Sequence, residues 1–368
     1  MTDIRWPLPT ALTPPPAAPD AADAVGGVDS VDGVDQAAPA IVTARSPLRI
    51  SLAGGGTDLP SYSSRHGGLV LSCAIDRYVG VTVFPREFDG RVRAATDSYD
   101  LCDGAHQHPN PMTRACLLRA GLHSGYQVAS FSDVPSGSGL GGSAAFGVSL
   151  LHAAAAPGAL SRQALAEAAS AVEIDDLGRA VGKQDHYMAA FGGIRLLRFH
   201  PSGRVAPDRL DLPAASRTAL EEHLMLFHSG ISRDAGDILA EQNQRTLSGH
   251  DESLRRLHAI RSITHGMAEA LAKGDMDAVA ALVNEHWSLK ARLGSRISSP
   301  HLQALHDRAL EAGAGGAKLL GSGGGGFLLL VCPPAAHADV RRSLGEAGLR
   351  ELPFRLTDEG SRTGRLPL

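Results

Sequence analysis

The chain has 368 residues, 43% hydrophobic and 20% charged, with a formal net charge of −4. That length allows two domains with a sizeable core, and the slight acidity argues against a surface for nucleic acid or anionic membrane, which needs a basic excess. Cys73, Cys102, Cys116 and Cys332 are far apart and form no Cys-x-x-Cys pair, which speaks against a disulfide framework or zinc knuckle.

Residues 1–40 hold Pro14-Pro15-Pro16, many alanines and few large apolar side chains. Such a segment cannot offset its ordering entropy, so a disordered tail is expected there. It lacks the basic and apolar regions of a signal peptide, and no apolar run is long enough to cross a bilayer, so the expected location is the cytoplasm. A homodimer is the assembly entertained.

Folded sequence is expected from Ile41. Leu48–Leu52 alternates as a strand and enters Gly54-Gly55-Gly56-Thr57-Asp58. Further strands are expected at 68–75, 78–84 and 126–134. A glycine-rich loop then leads into a small-residue helix from about Ser143 to Ala155. Ser161 is placed to cap the next helix, and 192–199 reads as a strand closing this half. The second half opens with a strand at 224–228, followed by helices at about 233–246, 251–273, 275–293 and 299–312. Lys318–Val331 reads as strand, glycine turn and strand, then a helix and a last strand near 351–356. This order is α+β, without the regular βαβ alternation of a doubly wound sheet. The division expected is 41–215 and 216–368.

Four segments carry chemistry. Pro135-Ser136-Gly137-Ser138-Gly139-Leu140-Gly141-Gly142-Ser143-Ala144 lies between a strand and a helix. Glycines let backbone N–H groups approach a phosphate, and the helix start adds free donors and a positive dipole end. Ser143 can offer a hydroxyl to a phosphate or a metal. Gly137, Gly139 and Gly142 also match the dinucleotide fingerprint, but no acidic residue occurs between Asp133 and Glu167 to hold a ribose. No lysine follows as in a Walker loop, and the faint nucleophile-elbow pattern at 141–145 has no partners at recognisable spacing. A phosphate loop of another type fits best.

The second segment, Arg45–Asp58, puts Arg49 on a strand and Asp58 after a glycine turn, a carboxylate suited to sugar hydroxyls. The third holds Glu173, Asp175 and Asp176, then Gly182-Lys183-Gln184-Asp185-His186-Tyr187. Acids near a phosphate loop suit Mg²⁺ and a hydroxyl-activating group, whereas Asp175 and Asp176 read as a solvated helix face. The fourth, Gly321-Ser322-Gly323-Gly324-Gly325-Gly326, has more glycine than a hairpin needs and implies close backbone approach to something.

In this order and spacing the four segments resemble the GHMP kinases, over roughly 43–332. The resemblance implies a ribosomal-protein-S5-like N-terminal domain, a ferredoxin-like C-terminal domain and an active site between them. It implies that Pro135–Ser143, with Gly323 and Gly324, binds ATP, that Ser143 and Glu173 hold Mg²⁺, and that Asp185 is the catalytic aspartate with Arg49 beside it and the transferring phosphate. Asp58 falls on the sugar-binding aspartate, with Gly55, Gly56 and Thr57 before it. Galactokinases carry Glu-His where this chain has Gly55-Gly56, which disfavours galactose, and Gly142 replaces a common loop serine. Arg49–Asp58, His66-Gly67-Gly68, Ile75–Tyr78, Gly182–Tyr187 and Gly230–Arg233 resemble the D-glycero-D-manno-heptose 7-phosphate kinase subgroup. That subgroup phosphorylates the anomeric hydroxyl to the 1,7-bisphosphate, serving nucleotide-activated heptose or heptose-containing natural products. Lys183, Arg233 and Arg77 are candidate cations for a 7-phosphate. Alternatives are a kinase for L-fucose or an altro-configured heptose 7-phosphate, a mevalonate-pathway decarboxylase, or a non-catalytic sugar sensor.

Overall fold

The computed structural model describes residues 40–86, 88–156, 158–231 and 236–368. The expected tail therefore lies outside the described residues except for Ala40, and so does Arg233.

The first lobe contains β1 (Ala40–Ala53), α1 (Pro60–His66), β2 (Gly68–Pro85), β3 (Val92–Ala95), β4 (Tyr99–Cys102), α2 (Pro111–Arg119), β5 (Tyr126–Ser132), α3 (Gly142–Ala154), α4 (Arg162–Ala171), α5 (Gln184–Phe191), β6 (Ile194–Phe199) and β7 (Val205–Arg209). The second contains α6 (Ala214–His223), β8 (Leu224–His228), α7 (Gly236–Leu247), α8 (Asp251–Lys273), α9 (Met276–Lys290), α10 (Pro300–Glu311), β9 (Gly316–Leu319), β10 (Phe327–Val331), α11 (His337–Glu346) and β11 (Arg350–Glu351). The last strand, β12 (Arg362–Pro367), returns to pair antiparallel with β1.

The larger sheet runs β12-β1-β2-β5-β3-β4, with β6 and then β7 branching from the first half of β2. The two strands expected at 68–75 and 78–84 are one continuous β2, which pairs with β6 through Gly68–Cys73 and with β5 through Val79–Pro85. β1 alternates inside and outside at its start, then is buried on both faces from Ser46. Helix α3 packs on β1 and β2, with Ser149 Oγ donating to the Val79 carbonyl at 2.9 Å, while Gly147 lets α2 and α4 approach its other side, where a Cβ would meet Met112, Cys116 and Ala169. Ser161 does cap α4, accepting from the Ala164 N–H at 3.1 Å.

The smaller sheet has the order β11-β8-β10-β9. Its β10 explains the unbroken apolar run at 327–332. Phe327, Leu329 and Val331 face the core shared with the first lobe, whereas Leu328, Leu330 and Cys332 face a second core with Phe227 and Trp287. Helices α8 and α9 pack on each other, with α8 also against β1 and β2, and α9 against β9 and β10. This pair ties the sheets together and sets the cleft between them.

Several elements differ from the sequence expectation. The hairpin β3–β4, α2, β7, α6 and β12 were not anticipated, and the strand expected at 351–356 is two residues of β11 followed by a single bridge from Leu356 to Ile75. β12 is exposed at every position, so backbone bonds to β1 hold it without any apolar alternation to announce it. The four cysteines are free. Among the described residues no helix is long and apolar enough to cross a membrane.

Candidate active site

A cavity of about 200 Å³ opens where the end of β1, the start of α3, the start of α5 and the turn before β10 converge. Arg49, Asp58, Ser143, Glu173, Asp185 and Lys290 all line it.

At its centre is an ion pair. Arg49 reaches across from β1, donating from Nε to Asp185 Oδ1 at 2.7 Å and from Nη2 to Oδ2 at 2.6 Å. A third donation, from Nη1 to the Gly139 carbonyl at 2.5 Å, ties this fork to the glycine loop. The Arg49 side chain is 4% exposed and that of Asp185 28%, so the carboxylate faces the cavity while its partner forms the wall. Gln184 donates to Asp185 Oδ1 at 2.8 Å, and its own Oε1 accepts from the Ser51 hydroxyl at 3.2 Å. Both carboxylate oxygens are held before any substrate arrives; Oδ1 already accepts two hydrogen bonds and Oδ2 one, so the remaining acceptor position is on Oδ2.

The glycine loop sits against the turn from the other lobe, which accounts for both motifs. Gly139 has φ +80°, and a Cβ there would lie 2.9 Å from the Leu320 carbonyl; Gly321 has φ +66°, and its Cβ would lie 2.7 Å from the Gly139 Cα. Neither backbone conformation nor space admits a side chain. The Phe327 N–H also donates to the Ser138 carbonyl at 3.1 Å. The close approach expected for 321–326 is thus, at least in part, to the loop itself.

Gly137, Ser138, Gly139, Gly141, Gly142 and Ser143 face the central cavity, and Gly323 faces it from the opposite lobe. Leu140 is buried as a core residue. The Gly324 N–H is taken by the Ile297 carbonyl at 2.8 Å, and Gly324 does not line the cavity. Pro135 and Ser136 line a second cavity of about 510 Å³ with Val79, Phe131 and Phe146. Gly137, Gly142 and Ser143 border both cavities, so a flat apolar group in the larger one would carry an attached phosphate chain over the loop to the first turn of α3, where N–H donors are free.

Glu173 lies in a single π-helical turn, Val172–Asp176, that follows α4. The turn sends Glu173 inward and leaves Asp175 and Asp176 outside, Asp176 pairing with Arg119 at 2.7 Å. Ser143 Oγ donates to Glu173 Oε1 at 3.0 Å, Arg179 Nη1 donates to Oε2 at 3.0 Å, and His186 Nε2 is 3.3 Å from Oε1. Burial pushes this carboxyl up, but His186 and Arg179 outweigh it and hold it at about 2, below its ordinary 4.5. A depressed carboxylate contributes stability above its unfolded value and loses it as pH falls through the folded one. The stability advantage of wild type over Glu173→Gln, up to roughly 3 kcal/mol, is therefore expected to shrink between pH 4.5 and about 2. Denaturant midpoints across that range check it, and a constant difference would refute it.

Among the substrate-side residues, Gly55, Gly56 and Asp58 face the cavity. Asp58 is fixed by the Gly56 N–H at 3.0 Å. Burial and then the charge of Asp185 push its carboxyl up. Thr57 does not line the cavity: its hydroxyl donates to the Gly54 carbonyl at 2.8 Å and accepts from the Leu69 N–H at 3.0 Å, fixing the turn.

Two cations expected to meet a phosphate are engaged elsewhere. Lys183 does not line the cavity; its ammonium pairs with Glu167 at 2.6 Å, and Glu167 also accepts from Tyr187, anchoring α5 to α4. Arg77 binds the Asp76 carbonyl at 2.8 Å and the Pro353 carbonyl. Sequence reasoning missed Lys290, Gln184, His186 and Arg179. For Lys290 there was a signal: it continues the buried face of α9 set by Val279, Val283, His286 and Trp287, where an ammonium must find polar partners.

The profile of the GHMP kinases N terminal domain matches residues 110–193, and that of the GHMP kinases C terminal matches 267–349. A Campylobacter jejuni D-glycero-alpha-D-manno-heptose 7-phosphate kinase is 28% identical over 340 residues, covering 88% of this chain and 99% of that protein. The L-fucokinase/L-fucose-1-P guanylyltransferase of Bacteroides fragilis is 26% identical over 88% of this chain but 38% of that longer protein. A crystal structure of a D-glycero-D-manno-heptose 1-phosphate kinase from Bacteroides thetaiotaomicron superposes with a TM-score of 0.73, at 25% identity over 88% of this chain and 99% of that one.

Proposed function

The chain belongs to the GHMP kinase family, and from that premise we propose that it is an ATP- and Mg²⁺-dependent sugar kinase that phosphorylates the anomeric hydroxyl of a heptose 7-phosphate. The observation that carries this reading is the Arg49–Asp185 fork, a carboxylate pre-oriented at the point where the glycine loop and Asp58 face one another. ATP places its base in the larger cavity and its phosphates along 137–143, while Asp58 accepts sugar hydroxyls. Asp185 orients the attacking hydroxyl and takes its proton. Phosphoryl transfer asks chiefly for positioning and charge neutralisation, which Arg49 and the loop donors supply. The reaction is placed in the cytoplasm, where ATP is available, and the lobes are assigned to 41–215 and 216–368, with the first turn of α6 moved to the second and β12 added to the first.

The metal fits the residues present. The Ser143 hydroxyl and Glu173 carboxylate touch at the cavity wall, and one or two protein oxygens beside substrate phosphates are what Mg²⁺ takes. When bound, the ion would neutralise charge on the phosphate chain. Glu173→Gln keeps the shape but removes that charge, so the Mg²⁺ concentration for half-maximal rate is expected to rise about tenfold or more with a lower kcat. Wild-type Mg²⁺ dependence in the variant would move the metal elsewhere.

The names of the relatives differ on the phosphate, one acting on a heptose 7-phosphate and another called a heptose 1-phosphate kinase. The test is a coupled ADP-release screen over free sugars, L-fucose, and heptose 1- and 7-phosphates, with the product identified by NMR. Preference for the 7-phosphate by orders of magnitude in kcat/KM over the free heptose is expected, because buried cations left unpaired are costly. Equal efficiency would leave a free-sugar kinase.

A further inference from the structure

Lys290 is a buried charge with no carboxylate in direct contact among the described residues. It ends α9, is 6% exposed and lines the central cavity. An ammonium has three donors and no acceptor, yet the hydrogen bond it makes is to the Gly321 carbonyl. Among the described residues no carboxylate forms a salt bridge with it, although Asp58 and Asp185 line the same cavity. The neighbouring buried Lys318 shows the difference: its ammonium donates to the Ser51 and Leu52 carbonyls at 3.0 and 3.1 Å and stays outside the cavity, joining the lobes. Lys290 instead points towards Gly55, where a Cβ would lie 3.6 Å from Nζ.

Of the other cavity charges, Asp58 also lacks a salt bridge among the described residues and is held by the Gly56 N–H. Arg49 serves Asp185, and Arg179 and His186 serve Glu173. Burying an unpaired ammonium is costly unless something neutralises it. An anion entering between the glycine loop and Asp58 would meet it from the second lobe.

We propose that Lys290 is a phosphate-contacting residue of this site, its ammonium taking a phosphate oxygen of a bound reactant opposite the 135–143 loop. This rests on the kinase reading for which reactants are present. Two sources share that chemistry, the transferring phosphoryl group of ATP and the phosphate already on the sugar.

The test uses the full chain and measures binding as well as turnover. Lys290→Met removes the charge at similar length, and its thermal midpoint should equal or exceed that of wild type. If ATP is the source, the preference for AMPPNP over ADP, both with Mg²⁺, falls about 10- to 100-fold in the variant, the size of one charge-assisted hydrogen bond. If the sugar is the source, that preference holds while the preference for heptose 7-phosphate over free heptose falls by the same factor. The affected preference should also weaken in wild type as pH rises through about 8, where burial and then Arg49 bring the Lys290 pKa, since the charged form is lost above it. Asp58 and Asp185 face it from the first lobe, and His286 and Lys318 from the second. Lys290→Arg should restore binding and carry this limb to higher pH. Both preferences unchanged in Lys290→Met overturns the assignment. A wild type that shows these preferences without releasing ADP on any sugar fails the kinase reading alone, whereas one that binds neither AMPPNP nor a sugar phosphate overturns both.

Discussion

Asp185→Asn is expected to lower kcat by about 10²–10⁴-fold, the contribution of a positioned acid–base group, with little change in nucleotide affinity. In the native protein both carboxylate oxygens accept from Arg49, at 2.7 and 2.6 Å. Asparagine keeps one acceptor, but its amide NH₂ then confronts either Nη2 or Nε of the guanidinium, donor against donor. The attacking hydroxyl loses its proton acceptor, and the charge of Arg49, 4% exposed, is no longer balanced. Stability should fall by about 1–3 kcal/mol, the cost of an unsatisfied buried group. On the proposed reading the nucleotide is held by the loop and the larger cavity, where Asp185 makes no hydrogen bond of its own. Steady-state ADP release and AMPPNP titration separate these effects. Wild-type turnover in the variant would remove the role given to Asp185, while loss of AMPPNP binding with turnover would show that the loop had moved.

How much of this was legible in the sequence depends on how local each requirement is. The glycine loops stood out because backbone approach forbids side chains at single positions, as Gly139 and Gly321 show. β10 was readable because burial on both faces forces an apolar run, and β1 because Leu48, Ile50 and Leu52 alternate with Arg49 and Ser51. Glu173 and Asp185 stood out as acids beside a phosphate loop, but the groups that tune them did not. Gln184, Arg179 and His186 gain their contacts from a π turn and from the packing of α5 on β1, which no short pattern announces. The pairing of Lys183 with Glu167, sixteen residues earlier, was not readable because it is a tertiary contact. β12 was invisible because all its side chains are exposed.

Arg49 offers the sharper test, because its contacts combine two tasks. Its fork orients Asp185, and its third donation fixes the Gly139 carbonyl. Arg49→Lys supplies one ammonium where a planar fork is needed, so it is not conservative here. We expect Arg49→Met to reduce kcat by about 10²–10³-fold and Arg49→Lys to recover only part of that loss. The decisive measurement is the double variant with Asp185→Asn. Residues acting as a unit are strongly non-additive, and residues in contact show coupling in a double-mutant cycle. If Arg49 works mainly by holding Asp185, the double variant should turn over about as fast as Asp185→Asn alone, since nothing is left for the fork to orient. If it acts mainly on the phosphoryl group, the two losses should multiply. A multiplied loss would detach Arg49 from the aspartate and place its charge with Lys290, on the phosphate.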